Sequence, residues 1–188
     1  MGERIKVIMD CDPGIDDGIA LAYVAAHQDE LELLAVTTFA GNNTIDKVTK
    51  NALELVDFYG LNVPVARGQE RPLVKEVLHA EEFHGETGLG HCVLPEAKSE
   101  AVSDNAVLFI RELLNRLPEG EQVVMIETAP MTNLALLLKV FPEIKNKIGK
   151  LYLWAAQQKA ETSHRQQNST FMQIRKLRRS YSIPVSHW

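Results

Sequence analysis

Four aspartates fall within eight residues, in the run Asp10-Cys11-Asp12-Pro13-Gly14-Ile15-Asp16-Asp17, directly after the apolar stretch Ile5-Lys6-Val7-Ile8-Met9. Four carboxylates this close repel one another if all are ionised. A bound cation resolves that repulsion, and an all-oxygen donor set indicates calcium or magnesium. Pro13-Gly14 allows a sharp turn that brings Asp12 and Asp17 to one point. A single aspartate here would be read as a helix cap or a solvated loop residue. Four together favour a metal-linked site. No zinc-ligand spacing accompanies them.

Three further segments carry residues suited to binding. Gly41-Asn42-Asn43 and Ala129-Pro130-Met131-Thr132-Asn133 offer asparagines, which both donate and accept hydrogen bonds but also serve as ordinary turn residues. The third is His84-Gly85-Glu86-Thr87-Gly88-Leu89-Gly90, in a long loop-rich stretch over 67–100. Its three glycines imply mobility, and loops this long inside compact domains tend to be lids or binding segments.

The elements that must position these residues alternate in type. Residues 5–9, 31–39, 63–66 and 122–127 read as strands, and 150–154 as the start of another. Residues 16–27 have helical spacing, with Ile19, Ala20, Tyr23 and Val24 on one side. Residues 44–59 repeat apolar positions at i, i+3 and i+4, with Gly60 as a stop signal. Ser103 can cap a helix running to about Leu117, and residues 132–140 form one more. This order predicts an α/β fold, a mostly parallel sheet flanked by helices with a Rossmann-like core. Ligands then bind beyond the carboxyl ends of strands, here after residues 9, 39 and 127.

Composition bounds the function. The chain has 188 residues, 45% hydrophobic and 24% charged, the proportions of a globular protein. No apolar run is long enough to span a bilayer, and the N-terminus lacks a signal-peptide layout. Two cysteines, Cys11 and Cys92, are too few for a disulfide framework, so the expected compartment is the cytoplasm. A net charge of −5 argues against nucleic acid as a partner.

Taken in order, these motifs resemble the inosine-uridine-preferring nucleoside hydrolases. The family's D-x-D-P-G-x-D-D stands at Asp10 to Asp17, its G-N at Gly41-Asn42, its H-G-x-x-G-L-G at His84 to Gly90, and its G-P-L-T-N at Ala129 to Asn133. The last departs from the pattern at Ala129 and Met131. The resemblance covers about residues 4 to 153. It implies hydrolysis of the N-glycosidic bond of ribonucleosides with one bound calcium, and a part in purine and pyrimidine salvage. By position, Asp12, Asp17 and the Thr132 carbonyl would bind calcium, and Asp12 would also act as general base. Asp16 and Asn42 would hold the ribose hydroxyls, with His84 at the substrate and Asp10 and Asn133 in support. Carboxylates around the ribose suit the oxocarbenium character of that reaction. The resemblance leaves a homo-oligomeric full-length form open.

The balance of charge changes near residue 154. Residues 1–153 hold 24 Asp+Glu against 14 Lys+Arg, whereas residues 154–188 hold one against six and five of the eight glutamines. Shifting the reading frame by one base from Trp154 permits a segment of the type M-G-G…G-N-I-T-P-A-A-E-F-N…D-P-E-A-A, which the family carries at this place. Residues 1–153 are therefore expected to be an incomplete nucleoside hydrolase-like domain, and 154–188 a frameshifted or disordered basic tail that impairs activity. Ending the sheet at 150–154 would leave an uncovered edge. Two other readings remain open. Asp10-x-Asp12 after a first strand also fits a haloacid-dehalogenase-like magnesium phosphatase, although Pro13-Gly14 departs from that pattern. The other is a non-catalytic calcium-binding fragment.

Overall fold

A computed structural model describes residues 3–74, 79–153 and 183–184. Six strands form one sheet: β1 Ile5–Cys11, β2 Leu31–Thr38, β3 Val65–Ala66, β4 Val123–Glu127, β5 Ile148–Leu153 and β6 Ile183–Pro184. Their order is β3-β2-β1-β4-β5-β6. The first five are parallel, and β6 pairs antiparallel with β5. The helices are α1 Ile15–Ala26, α2 Ile45–Phe58, α3 Glu81–His84, α4 Ala106–Asn115 and α5 Thr132–Val140, followed by a 3-10 segment at Pro142–Lys147. The expected α/β architecture is present.

Alternation of side chains along each strand sends neighbouring residues to opposite faces. On one face Val7, Met9 and Cys11 pack with Leu21 and Val24 of α1 and with Ala52, Leu55 and Val56 of α2. On the other, Ile8, Val123 and Met125 pack with Ile110 and Leu114 of α4 and with Leu134 and Leu137 of α5. Buried on both faces, β1 is the central strand of this two-sided core. Whatever lies at its carboxyl end is surrounded by protein.

Five local details differ from the pattern read in the sequence. β1 continues to Cys11, so Asp10 is a sheet residue rather than a loop residue. On α1, Leu21 is fully buried and Ile19 is exposed, because the helix turns Asp17, Gly18, Ala20, Leu21 and Val24 inward. Asn105, not Ser103, caps α4, its side-chain oxygen accepting the Leu108 N–H at 3.1 Å. Ser103 instead bridges to Ala66 beside β3. The loop-rich stretch also contains the single turn α3. The edge expected to be uncovered carries β6, through Lys150 opposite Pro184 and Leu151 opposite Ile183. Apart from those two residues, the proposed tail lies outside the described residues.

The exchange of Ile19 for Leu21 on the buried face gives a direct test. Leu21→Ala should lower unfolding free energy by about 2–5 kcal/mol through the cavity it leaves, whereas Ile19→Ala should change it by less than about 0.5 kcal/mol. Urea denaturation of both variants reads the difference.

Candidate active site

β1, β2 and β4 end together, and their last residues form a row. Asp10 lies opposite Thr37 of β2 and opposite Glu127 of β4 in the parallel register. All three side chains are sealed from solvent. The Thr37 hydroxyl donates to Asp10 Oδ1 at 2.5 Å, and the Asn133 side-chain amide donates to the same oxygen at 2.9 Å. Asn133 also donates to the Thr38 carbonyl and accepts the Gln69 N–H. The Asp10 carbonyl receives the N–H groups of Thr128 and Ala129. Asp10 thus ties the loop after β4, and the start of α5, to the centre of the sheet.

Two residues further on, the chain leaves the sheet at Asp12. The Asn42 backbone N–H donates to Asp12 Oδ2 at 2.8 Å, and the Asn42 side-chain amide donates to the Asp12 carbonyl at 2.9 Å. Gly41 is required beside it, since a β-carbon there would run into the Asp12 carboxylate. Asp17, in the first turn of α1, faces Asp12, and both are buried. Burial, then the neighbouring carboxylates, raise both acids: Asp17 to about 7, and Asp12 well above the usual range. Asp16 is half-buried at the mouth.

The glycine loop closes over this acidic turn. His84 Nδ1 accepts the Ile15 N–H at 3.3 Å, which fixes the ring over Gly14. Three side chains of the α2 region hold the segment beyond it. Asn43 and Lys47 donate to the Glu86 carbonyl, and Asn51 donates to both the Thr87 and the Pro13 carbonyls. Gly88, at φ +92°, lies so close that a β-carbon would meet the Asn51 amide. The mobility implied by three glycines is therefore countered by side-chain bonds at 86 and 87. Positive φ at Gly85, Gly88 and Gly90 explains the glycines as turn residues.

Asp10, Asp12, Asp16, Asp17, Asn42, His84 and Asn133 come together at the expected strand ends. Thr132, at the start of α5, is buried in the adjoining loop, its N–H donating to the Pro130 carbonyl at 2.7 Å. Glu127, Asn51 and Thr37 belong to none of the segments that the sequence marks for binding. Glu127 was the last residue of an apolar strand, and Asn51 sat among helical apolar positions. Their one signal was a polar type at a position the local period predicts to be buried.

The site fits a hard cation. Asp17 Oδ1 is buried without a hydrogen-bond partner among the described residues, and the Asp17 side chain faces a second buried carboxylate, Asp12. Oxygen donors of this kind suit calcium or magnesium. Among the described residues no three His, Cys, Asp or Glu side chains converge as a complete metal cluster. The described carboxylates alone would leave positions in a calcium shell for water, carbonyls or other donors.

A parallel α/β sheet with a buried acidic turn at the carboxyl end of its central strand defines the class. This chain belongs to the inosine-uridine preferring nucleoside hydrolase family, whose profile matches residues 7–168. It is 39% identical over 150 residues to the non-specific ribonucleoside hydrolase RihC of Escherichia fergusonii, covering 80% of this chain and 48% of that protein. It is equally similar to the inosine-uridine preferring nucleoside hydrolase of Leishmania major, over 79% of this chain and 47% of that protein. A plant nucleoside hydrolase, PpNRh1, superimposes with a TM-score of 0.71 at 32% identity, over 79% and 47% of the two chains. The purine-preferring ribonucleoside hydrolase of Gardnerella vaginalis gives 0.68 at 34%, over 78% and 47%. The chain spans about half the length of the curated relatives it matches. No helix among the described residues is long and apolar enough to cross a membrane.

The raised acids set a pH dependence. Because Asp12 and Asp17 hold protons more tightly folded than unfolded, the cation-free chain gains most from them at low pH. Asp17 loses its share as pH rises from about 4 through about 7, and Asp12, raised well above the usual range, loses its share as pH rises through its own folded value. In chelator, the melting temperature should fall across this window, and Asp17→Asn should flatten the fall. Thermal melts across the window check both.

Proposed function

We propose that the whole protein hydrolyses the N-glycosidic bond of ribonucleosides to free base and ribose, with calcium, in the cytoplasm and in the service of base salvage. The observation that carries this reading is the buried Asp12–Asp17 pair at the end of β1, roofed by Asn42 and His84. Asp12, Asp17 and the Thr132 carbonyl would hold the ion. Calcium, when bound, supplies a positive centre that acidifies water and orients ribose hydroxyls.

The chain's own residues do the rest. Asp12 takes the proton of the attacking water at Oδ1, since Oδ2 is held by the Asn42 N–H. Asn42 has a second side-chain N–H and a carbonyl oxygen for a ribose hydroxyl, and Asp16 offers acceptors at the mouth. The ring of negative charge favours the positive character that the ribose develops as the base departs. His84 contributes to the substrate wall. A phosphatase reading requires Asp10 as an accessible nucleophile, and Asp10 is fully buried with Oδ1 occupied by two donors. That reading is set aside.

Residues 154–188 are proposed to be an out-of-frame product, on their charge reversal and the family-like segment hidden one base away, although the family profile extends as far as residue 168. Resequencing the DNA around codon 153 decides it, and an unchanged frame with no shifted family segment refutes it. On this reading the chain lacks the residues that complete the ribose and metal site. Groups acting as a unit fail together, so hydrolysis falls by orders of magnitude.

Calorimetry should detect calcium binding to the 188-residue chain, weakened by the incomplete shell, and none to the Asp12→Ala, Asp17→Ala double variant. Identical binding by both refutes the ligand assignment. A reducing-sugar assay should find no ribose release from inosine or uridine with this chain, and clear release after the frame is restored past Leu153 and extended through the downstream gene. Asp12→Asn in the restored chain should abolish turnover while preserving the fold. Robust release by the 188-residue chain overturns the impairment, and none by the restored chain overturns the assigned activity.

A further inference from the structure

Glu127 takes no part in the chemistry above, yet it is the most deeply placed acid besides Asp10. It is 1% exposed, and neither of its oxygens has a hydrogen-bond partner among the described residues when it is treated as a carboxylate. Asp10 Oδ2 is likewise without a donor. The two are register partners on β4 and β1, and side-chain alternation sends both to the face covered by α4 and α5. Among the described residues, the Thr37 and Asn133 side chains donate to Asp10 Oδ1 and the Thr128 hydroxyl donates to the Asp10 carbonyl. Leu153, opposite Glu127 on β5, offers no side-chain donor.

Two ionised carboxylates side by side here would force β1 and β4 apart just where they deliver Asp12 and the Thr132 loop. One proton removes the conflict. A neutral carboxylic acid is a donor, and among the described residues the acceptor across the register from Glu127 that lacks a donor is Asp10 Oδ2. The same burial that strips the donors also favours the neutral form, and Glu127 is raised well above the usual carboxylate range, by desolvation first and by Asp10 second.

We propose that Glu127 is a positioning residue: as a neutral acid it donates to Asp10 Oδ2, completes the row Thr37–Asp10–Glu127, and holds the ends of β1 and β4 at the spacing the acidic site needs. Thr37 and Asn133 grip one oxygen of Asp10 and Glu127 the other, so the carboxylate cannot rotate. Outer partners of this kind orient the groups that contact a metal without touching it themselves. The effect on calcium rests on the metal reading given above, whereas the position of the proton does not.

The test uses the full chain with three variants, Glu127→Gln, Glu127→Leu and Asp10→Asn. The infrared difference between wild type and Glu127→Gln at neutral pH should contain the C=O stretch of a protonated carboxylic acid, shifted in heavy water. Its absence overturns the proposal. Glutamine keeps an N–H donor toward Asp10 Oδ2, so Glu127→Gln should retain wild-type calcium affinity. Glu127→Leu should weaken calcium binding by about tenfold or more, the scale of losses from outer metal partners. In Asp10→Asn the acceptor on β1 is exchanged for an amide, so the infrared band should shift in frequency. Equal calcium affinity in the Leu and Gln variants, or an unmoved band in Asp10→Asn, also overturns it. A chain that binds no calcium in any variant refutes the metal reading instead, and the infrared band still decides this one.

Discussion

Negative charge buried at the carboxyl end of β1 is the constraint around which this molecule is arranged. Asp10, Asp12, Asp17 and Glu127 are all nearly inaccessible to water, and desolvation is the largest influence on each of them. Such a cluster persists only if every carboxyl is given a donor, a proton or a cation. Asp10 has the donors, in Thr37 and Asn133. Asp12 has one backbone donor, from Asn42. Asp17 keeps one oxygen without a partner among the described residues, and its side chain faces Asp12. Position divides the cluster into a structural half, Asp10 and Glu127 within the sheet, and a reactive half, Asp12 and Asp17 beyond it, and each half keeps a buried oxygen without a hydrogen-bond partner among the described residues.

The structural half explains why the loops meet. Asp10 binds side chains from β2 and α5 through its carboxylate and the loop after β4 through its carbonyl. Asn133 extends the same network to Thr38 and Gln69, and Gly68 leaves the room that Asn133 needs. Above it, Asn51 links Pro13 of the acidic turn to Thr87 of the glycine loop. Sequence-distant segments are thus held by single buried polar side chains. Replacing such a residue leaves buried carbonyls or N–H groups unpaired, a larger penalty than the bond itself contributes.

The two-sided core makes this economy of contacts sufficient. α1 and α2 cover one face, and α4 and α5 cover the other, so β1 is fixed along its length before its end is specified. The strands then carry Asp10 and Glu127, the turn after β1 carries Asp12, and the first turn of α1 carries Asp16 and Asp17.

Much of this was legible in the sequence. Apolar runs, helical spacing and turn residues determined the alternation of strand and helix, and α5 spans the 132–140 that its pattern indicated. The spacing of Asp10, Asp12, Asp16 and Asp17 after a strand marked the site, because carboxylates crowd so tightly only where a cation or a proton can join them. What sequence could not determine was how buried residues share partners across the chain. Period alone put Ile19 inward and Leu21 was overlooked, since the direction of a helical face depends on what the sheet presents to it. Ser103 and Asn105 are both good caps, and the pairing of Ser103 with Ala66 left the cap to Asn105. Glu127 looked like the polar end of a strand. Only the parallel register of β1 and β4 set it against Asp10, because hydrogen bonding between residues more than a hundred positions apart is a property of the fold and not of any local pattern.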